Sequence, residues 1–245
     1  MIFGLMLGRG KSAGFPGKNT KLVLGKPLMA YPILAAKASR FVDDVFVSTD
    51  SADIRKIGEK YGARHIERPA ELCTKEALGE DAFRHGYFWI KENVAADIEF
   101  MVLLFANAVT LTTGAIDDGI RALRENPGYD SAVTVSKYNM WSPLRARKIG
   151  KDGLLHPFVP FEVFGDPKRL NCDRDSQGDV WFADMGLSIV RPRCLERLED
   201  GLLPQKWMGT KIYPLKQAGG LDVDYEWQMP MAEHWLENNK RMKKG

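Results

Sequence analysis

The chain has 245 residues, and its 35 Lys and Arg residues against 32 Asp and Glu residues give a formal net charge of only +3. This length allows one large α/β domain with a substantial core, while the balanced charge disfavours a protein that coats nucleic acid. No apolar run is long enough to span a membrane, and Met1 leads directly into a strand-like segment without a charged leader, which predicts a cytoplasmic protein.

Apolar, β-branched runs alternate with amphipathic segments along the first half of the chain. The runs predict strands, and the segments with helical spacing predict helices. Strands that are apolar on both faces need helices on each side, which is typical of a parallel sheet. We therefore expect an α/β fold with a doubly wound, mostly parallel sheet, in which ligands bind at the carboxyl ends of the strands. The predicted strands cover residues 2–7, 45–49 and 99–105, and the predicted helices cover residues 28–39, 51–62, 80–94 and 114–126.

The loop after the first predicted strand, GRGKSAGFPGKN at residues 8–19, contains four glycines and three basic residues but no acidic one. Glycines let backbone amides approach a phosphate closely, and the basic side chains bring positive charge to the same place. The spacing matches neither the GxxxxGK[ST] loop nor the GxGxxG dinucleotide pattern. The loop predicts a polyphosphate site, with a solvated basic surface loop as the alternative. Its candidate residues are Gly8, Arg9, Gly10, Lys11 and Lys18.

Asp50 ends the second predicted strand, at the edge of the sheet where ligands bind. Two interpretations stay open for this residue. It binds or supports a nucleotide, or it caps the helix that starts near Ser51.

A long segment rich in proline and charge lies between two further predicted strands, at residues 130–141 and 181–192. A connection of this length inside a compact domain is usually functional or forms a lobe of its own. We expect residues 137–180 to form an inserted arm that contacts another subunit.

Two aspartates, Asp222 and Asp224, lie at the start of the last predicted helix, residues 224–242. On an extended segment, side chains at this spacing point to the same side, so both carboxylates can face one cation. Mg²⁺ prefers few carboxylates together with phosphate oxygens and water, so the pair predicts a magnesium site. The alternative is that Asp224 only caps the helix. Trp227 and Trp235 have a helical spacing, which predicts packing rather than stacking on a base.

The segment LGRGKSAGFPGKN resembles the first motif of the cytidylyltransferases that activate nine- and eight-carbon sugar acids, acylneuraminate and 3-deoxy-octulosonate among them. That motif has the approximate form A-R-x-x-S-K-G-x-P-x-K-N. The matching residues are Arg9, Ser12, Gly14, Pro16, Lys18 and Asn19. Three more segments resemble the family in the same order, namely VFVSTDSADI at 45–54, RPAEL at 68–72 and GGLDVDYEWQMPMAE at 219–233.

The resemblance implies a Rossmann-like nucleotidyltransferase fold and one domain over residues 1–245. It also implies transfer of CMP from CTP to a sugar acid with release of pyrophosphate, in a Mg²⁺-dependent reaction. The implied partners are CTP, a small anionic acceptor and a second copy of the chain, with neither nucleic acid nor membrane. The implied catalytic residues are Arg9, Lys11 and Lys18 on the phosphates, and Asp222 and Asp224 on Mg²⁺. The implied nucleotide-binding residues are Gly8, Gly10, Ser12, Asn19, Asp50 and Arg68.

The sequence departs from the family pattern at three places. Ala13 stands where the family has a lysine, and Lys11 is the candidate substitute. LLFANAVTLTT at 103–113 lacks the glutamine and the arginine of the family's L-L-Q-P-T-S-P-L-R segment, and ADMGLSIV at 183–190 keeps only the glycine of R-P-N-G. An anionic acceptor therefore needs other contacts. The candidates are Asn107, Arg145 and Arg174.

Three alternative functions stay open at this point. One is a cytidylyltransferase for another small anionic acceptor, such as a phosphonate. Another is a sugar-1-phosphate pyrophosphorylase of the same fold, although those enzymes tend to carry a G-x-G-T-R loop. The last is a catalytically degraded nucleotide-binding protein, against which the retained Asp222 and Asp224 argue.

Overall fold

The computed structural model describes residues 1–10, 15–171, 173 and 178–242. The chain divides into two compact units, one formed by Met1–Val135 with Asp184–Gly245 and the other by Ser136–Ala183. In the part of the chain that the structure describes, no helix has both the length and the apolar character needed to cross a bilayer.

Strands and α-helices alternate along most of the first half of the chain. The strands are β1 (Ile2–Leu7), β2 (Leu22–Val23), β3 (Lys26–Pro27), β4 (Asp44–Thr49), β5 (Arg64–Glu67), β6 (Phe100–Phe105), β7 (Ser131–Lys137), β8 (Arg147–Ile149), β9 (Leu155–Pro157), β10 (Trp181–Val190) and β11 (Ile212–Gln217). The α-helices are α1 (Ala30–Lys37), α2 (Ala52–Lys60), α3 (Gly79–Asn93), α4 (Thr113–Glu125), α5 (Pro192–Glu196) and α6 (Met229–Met242). Short 3₁₀ helices cover Lys18–Thr20, Ala70–Cys73, Asn139–Trp141, Pro143–Arg145, Phe161–Phe164, Pro167–Arg169, Leu198–Asp200, Lys206–Met208 and Glu226–Gln228.

The central sheet has seven strands in the order β11-β7-β10-β6-β1-β4-β5. β1 pairs in parallel with both β4 and β6, and β4 pairs in parallel with β5. β10 runs antiparallel to β6. The predicted α/β fold with a mostly parallel sheet is therefore confirmed. The carboxyl ends of β1, β4, β5 and β6 meet at one edge, where the loops that follow them converge.

Polar residues cap α2 and α4, two of the helices that begin beyond this edge. Ser51 Oγ accepts a hydrogen bond from the N–H of Ile54 (3.4 Å) at the start of α2. Thr112 Oγ1 accepts one from the N–H of Ala115 (3.2 Å) at the start of α4. Each such cap stabilises a helix by about 1 kcal/mol. Ser51 therefore supplies the cap of α2, so the capping interpretation of Asp50 is wrong.

The unit Ser136–Ala183 contains the antiparallel hairpin β8–β9, in which Ile149 pairs with Leu155. These two side chains are 75% and 71% exposed. The predicted arm, residues 137–180, lies within this unit. Its role in subunit contact stays a prediction.

The last helix starts later than the predicted residue 224. The backbone N–H groups of Asp224 and Tyr225 both donate to Gln228 Oε1 (2.7 and 2.8 Å), and a 3₁₀ turn covers Glu226–Gln228. α6 therefore begins at Met229, and Asp224 is not its cap. Among the strands of the central sheet, β5 and β11 have no sequence prediction, because charged or polar residues lie among their apolar ones.

Candidate active site

The loop after β1 is tied to the edge of the sheet by its backbone. The N–H of Gly8 donates to the carbonyl of Ser48 (3.1 Å), and the N–H of Gly10 donates to Asp50 Oδ1 (3.0 Å). A Cβ atom on Gly8 would come within 2.9 Å of the Ile54 side chain, so only glycine lets the loop pack this closely on α2. Asp50 thus supports the predicted phosphate loop directly.

Two arginines lie beside this loop. Arg68, directly after β5, is only 6% exposed, and it donates from Nε to Ser48 Oγ (3.2 Å) and from Nη2 to the Ser48 carbonyl (2.6 Å). Burial lowers the pKa of the Arg68 guanidinium, an effect that the nearby Asp50 carboxylate opposes. Arg9 donates from Nη1 to the carbonyl of Thr74 (2.7 Å). The structure therefore brings Arg9, Asp50 and Arg68 together at the ends of β1, β4 and β5.

The second half of the loop turns Lys18 towards the cleft. Gly17 has φ of +68°, in the left-handed region that favours glycine, and the short helix Lys18–Thr20 follows it. Lys18 Nζ forms an ion pair with the Asp224 carboxylate. Asn19 is buried, and its carbonyl accepts a hydrogen bond from the N–H of Met29 (3.1 Å).

The two late aspartates face the same side, as their spacing predicts. Val223 between them is fully buried in an apolar cluster that also contains Phe15. Asn107, just after β6, donates from Nδ2 to the Asp222 carboxylate, to Asp224 Oδ1 (3.4 Å) and to the Val223 carbonyl (3.2 Å). The N–H of Val223 donates back to the Asn107 carbonyl (3.2 Å). This segment is thereby attached to the end of β6.

The electrostatics of the aspartate pair suit a hard cation. Burial and the neighbouring Asp224 carboxylate raise the pKa of Asp222 to about 6, although Lys18 opposes the shift. The protein groups around Asp222 therefore do not fully neutralise the negative charge of the two carboxylates. Two carboxylates that share one side, with the Lys18 ammonium already beside one of them, form a donor set that fits Mg²⁺ together with phosphate oxygens.

These elements surround a cleft of about 430 Å³, within the usual size range of small-molecule sites. Its lining residues are Leu7, Arg9, Phe15, Lys18, Asn19, Phe105, Ala106, Asn107, Asp224 and Tyr225. The sequence analysis did not identify Phe15 and Tyr225, which line the cleft, or Gln228, which holds the carboxylate segment. Phe15 lies in the glycine-rich loop and Tyr225 directly follows the aspartate pair, and these positions were the available sequence signals. No sequence pattern indicates the two hydrogen bonds that Gln228 accepts.

Other predicted site residues are not placed in this cleft. Lys11, Ser12 and Arg174 lie outside the described residues. Arg145 belongs to the unit Ser136–Ala183, where it ends the 3₁₀ helix Pro143–Arg145. Their roles stay predictions.

The architecture is the nucleotidyltransferase fold. The structure is similar to that of a CMP:2-keto-3-deoxy-manno-octonic acid synthetase complexed with CTP, with a TM-score of 0.69 and 13% sequence identity over 97% of this chain and 99% of that one. At this identity the likeness concerns the fold alone.

Sequence comparison gives the family. An N-acylneuraminate cytidylyltransferase of Escherichia coli O18:K1:H7 is 30% identical over 138 residues, which is 56% of this chain and 32% of that protein. One of Oncorhynchus mykiss is 27% identical over 236 residues, which is 95% of this chain and 49% of that protein. A family model described as "Cytidylyltransferase" matches residues 3–148, more than half of the chain. The chain belongs to the cytidylyltransferase family, and it spans half or less of the length of these curated relatives. The resemblance predicted from four motifs is confirmed.

Proposed function

We propose that this protein is a Mg²⁺-dependent cytidylyltransferase that transfers CMP from CTP to a sugar acid and releases pyrophosphate. The observation that carries the proposal is the meeting of Lys18 with Asp224 in the cleft. It joins the end of a glycine-rich loop to a pair of carboxylates more than 200 residues later in the chain. Cations for a triphosphate and carboxylates for its metal thus occupy one place, as nucleotidyl transfer requires.

In the proposed reaction, a hydroxyl oxygen of the acceptor attacks the α-phosphorus of CTP. A bond forms between that oxygen and phosphorus, the bond from phosphorus to the β-phosphate oxygen breaks, pyrophosphate leaves, and the hydroxyl proton passes to water. Arg9 and Lys18, with Lys11, bind phosphate oxygens and stabilise the charge of the transition state. Such a transfer depends on positioning and charge neutralisation and needs no covalent intermediate on the protein.

Asp222 and Asp224 are the residues that would hold Mg²⁺. When bound, the metal neutralises phosphate charge and lowers the pKa of the attacking hydroxyl. The ion pair between Lys18 and Asp224 would then open, and the ammonium group would bind a phosphate oxygen instead. Asn107 keeps both carboxylates on the same side of the segment during this exchange.

The acceptor needs a partner for its own carboxylate. We propose Arg145 and Arg174 for this role, with Asn107 as a polar contact. Substrates named for the relatives, N-acylneuraminate and 2-keto-3-deoxy-manno-octonic acid, are the first acceptors to test.

We also propose a homodimer formed through the unit Ser136–Ala183. Paired Ile149 and Leu155 leave most of their apolar surface in water, and exposed apolar patches usually mark interaction surfaces. Light scattering at micromolar concentration should give twice the chain mass, and the double variant Ile149→Lys, Leu155→Lys should give a monomer. A wild-type monomer would contradict this part of the proposal.

Pyrophosphate release tests the activity. CTP, UTP, GTP and ATP are compared with and without Mg²⁺, each with both candidate acids. We expect release only with CTP and Mg²⁺. A parallel thermal-shift series reports binding, since a ligand at 100 times its Kd adds about 2.7 kcal/mol of stability. Selective stabilisation by CTP without turnover favours a degraded nucleotide-binding protein, whereas stabilisation by UTP, GTP or ATP instead of CTP favours a pyrophosphorylase.

A further inference from the structure

Two aromatic side chains are exposed next to the cleft. Tyr225 is 55% exposed and Trp227 is 66% exposed, although large aromatic side chains usually bury most of their surface. Their ring centroids lie 6.3 Å apart, and the ring planes are within 13° of parallel. The prediction that Trp227 packs within the last helix is therefore wrong, because Glu226–Gln228 forms a 3₁₀ turn ahead of α6.

The position of this pair is determined by the carboxylate segment. Tyr225 lines the cleft and directly follows Asp224. Gln228 Oε1 accepts hydrogen bonds from the N–H groups of both Asp224 and Tyr225 (2.7 and 2.8 Å). One amide side chain thus holds the backbone of the aromatic residue and that of the carboxylate residue in a single arrangement. A molecule that reacts beside Asp224 lies within reach of the Tyr225 ring.

The sheet order separates this pair from Asp50 and Arg68. β6 and β4 flank β1 on opposite sides, and β5 lies beyond β4. Asp50 and Arg68 follow β4 and β5, whereas Tyr225 belongs to the segment that Asn107 attaches to the end of β6. Asp50 and Arg68 are predicted nucleotide-binding residues. The aromatic pair is then on the side left for the second substrate.

We infer that Tyr225 and Trp227 form a binding platform for the acceptor and that this platform selects sugar acids with an apolar group, such as the methyl of an acetamido substituent. The inference rests on the proposed function and deepens it. Aromatic faces bind C–H groups well and strongly hydrated hydroxyl groups poorly. N-acetylneuraminate carries such a methyl group, whereas 2-keto-3-deoxy-manno-octonic acid has no acetamido substituent.

Steady-state kinetics of four variants test the platform. Tyr225→Ala and Trp227→Ala remove a ring, and the matched controls Tyr225→Phe and Trp227→Phe keep one. At saturating CTP and Mg²⁺, we expect each alanine variant to raise KM for N-acetylneuraminate about tenfold, equivalent to about 1.4 kcal/mol. The preference for N-acetylneuraminate over the octonic acid should fall by a similar factor. KM for CTP should stay unchanged, and the phenylalanine variants should stay close to wild type.

Two kinetic outcomes would overturn the inference. One is an unchanged KM for N-acetylneuraminate in both alanine variants. The other is a raised KM for CTP with an unchanged KM for the acceptor, which would assign the platform to the nucleoside.

Calorimetry separates this inference from the proposed function. N-acetylneuraminate is titrated into wild type and Trp227→Ala in the presence of CMP and Mg²⁺, a mixture that cannot turn over. If the wild type releases no pyrophosphate but binds the acid more tightly than the variant, the proposed function fails and the platform stands. No binding to the wild type, or equal binding to both proteins, overturns the platform.

Discussion

The two walls of the cleft are built in different ways. The loop wall, residues 8–10 and 15–19 with the ends of β4 and β5, is held by backbone hydrogen bonds such as Gly8 N–H to the Ser48 carbonyl. The carboxylate wall, residues 222–228, is an irregular segment that Asn107 binds across 115 residues of sequence. The loop wall continues the backbone hydrogen bonding of the sheet, whereas the position of the carboxylate wall depends on a few side chains. Single substitutions should therefore disturb the carboxylate wall more.

The largest effect is expected for Asp222→Asn. This change keeps the shape of the side chain but removes the charge that would hold Mg²⁺, so turnover should fall about a thousandfold, as for loss of a central electrostatic contact in other enzymes. Pyrophosphate release at saturating CTP measures it. Asp118→Asn is the matched control, since Asp118 is an exposed partner of Arg121 on α4. Turnover within tenfold of wild type would show that the carboxylate wall does not serve the reaction.

Arg9→Ala tests the loop wall in the same assay. Loss of one cation from the phosphates removes on the order of 3 kcal/mol of transition-state stabilisation and should slow turnover about a hundredfold. The matched control is Arg55→Ala, which removes only an exposed ion pair with Glu59 on α2 and should change little. Near-normal turnover by Arg9→Ala at saturating CTP would remove Arg9 from the site.

Asp130 extends the comparison, because its pKa shifts in the direction opposite to that of Asp222. Burial alone would raise its pKa, but the N–H groups of Thr210 and Lys211 and the side chains of Arg193 and Thr210 donate to it, and its pKa falls to about 2. The folded protein therefore holds this carboxylate ionised more strongly than the unfolded chain does. Its contribution of about 2 kcal/mol is present above pH 4 and is lost as the pH falls towards 2.

Urea unfolding between pH 2 and pH 7 measures this contribution. Asp130→Asn should lower the free energy of unfolding at pH 7 by about 2 kcal/mol, and the difference from wild type should shrink below pH 4. A difference that stays constant with pH would mean that lost packing, rather than lost charge, explains the destabilisation.

The smallest effect is expected for Gln228, which acts on the carboxylate wall through the backbone of Asp224 and Tyr225. Gln228→Leu removes the acceptor of both hydrogen bonds, so the Mg²⁺ concentration for half-maximal rate should rise about tenfold, equivalent to about 1.4 kcal/mol. Gln228→Glu keeps an acceptor oxygen and should not raise this concentration. Equal behaviour of the two variants would rule out this positioning role.

Regular elements of this protein were predictable from local patterns. β1, β4 and β6 follow the apolar runs to within one residue, and α2 and α4 follow the helical spacing to within two. The period of two in an extended chain also placed Asp222 and Asp224 on one side, with Val223 buried between them. Each of these features depends on neighbours a few residues away.

The carboxylate wall was less predictable. Nothing near Asn107 shows that its side chain binds a segment much later in the chain, because the sheet brings the two together. Gln228 accepts two backbone hydrogen bonds, which delay the start of α6. The 3₁₀ turn ahead of the helix leaves Trp227 exposed, although its helical spacing predicts packing.

The sequence by itself determined the family, the parallel core of the sheet, the place of the glycine-rich loop and the pairing of the two aspartates. Each of these features follows from a pattern of residues that are close together in the sequence. Only the tertiary structure decided that Lys18, Asn107 and Asp224 meet, and that an aromatic pair borders their cleft. Contacts between residues far apart in sequence depend on how the strands assemble, and no local pattern of residues encodes that assembly.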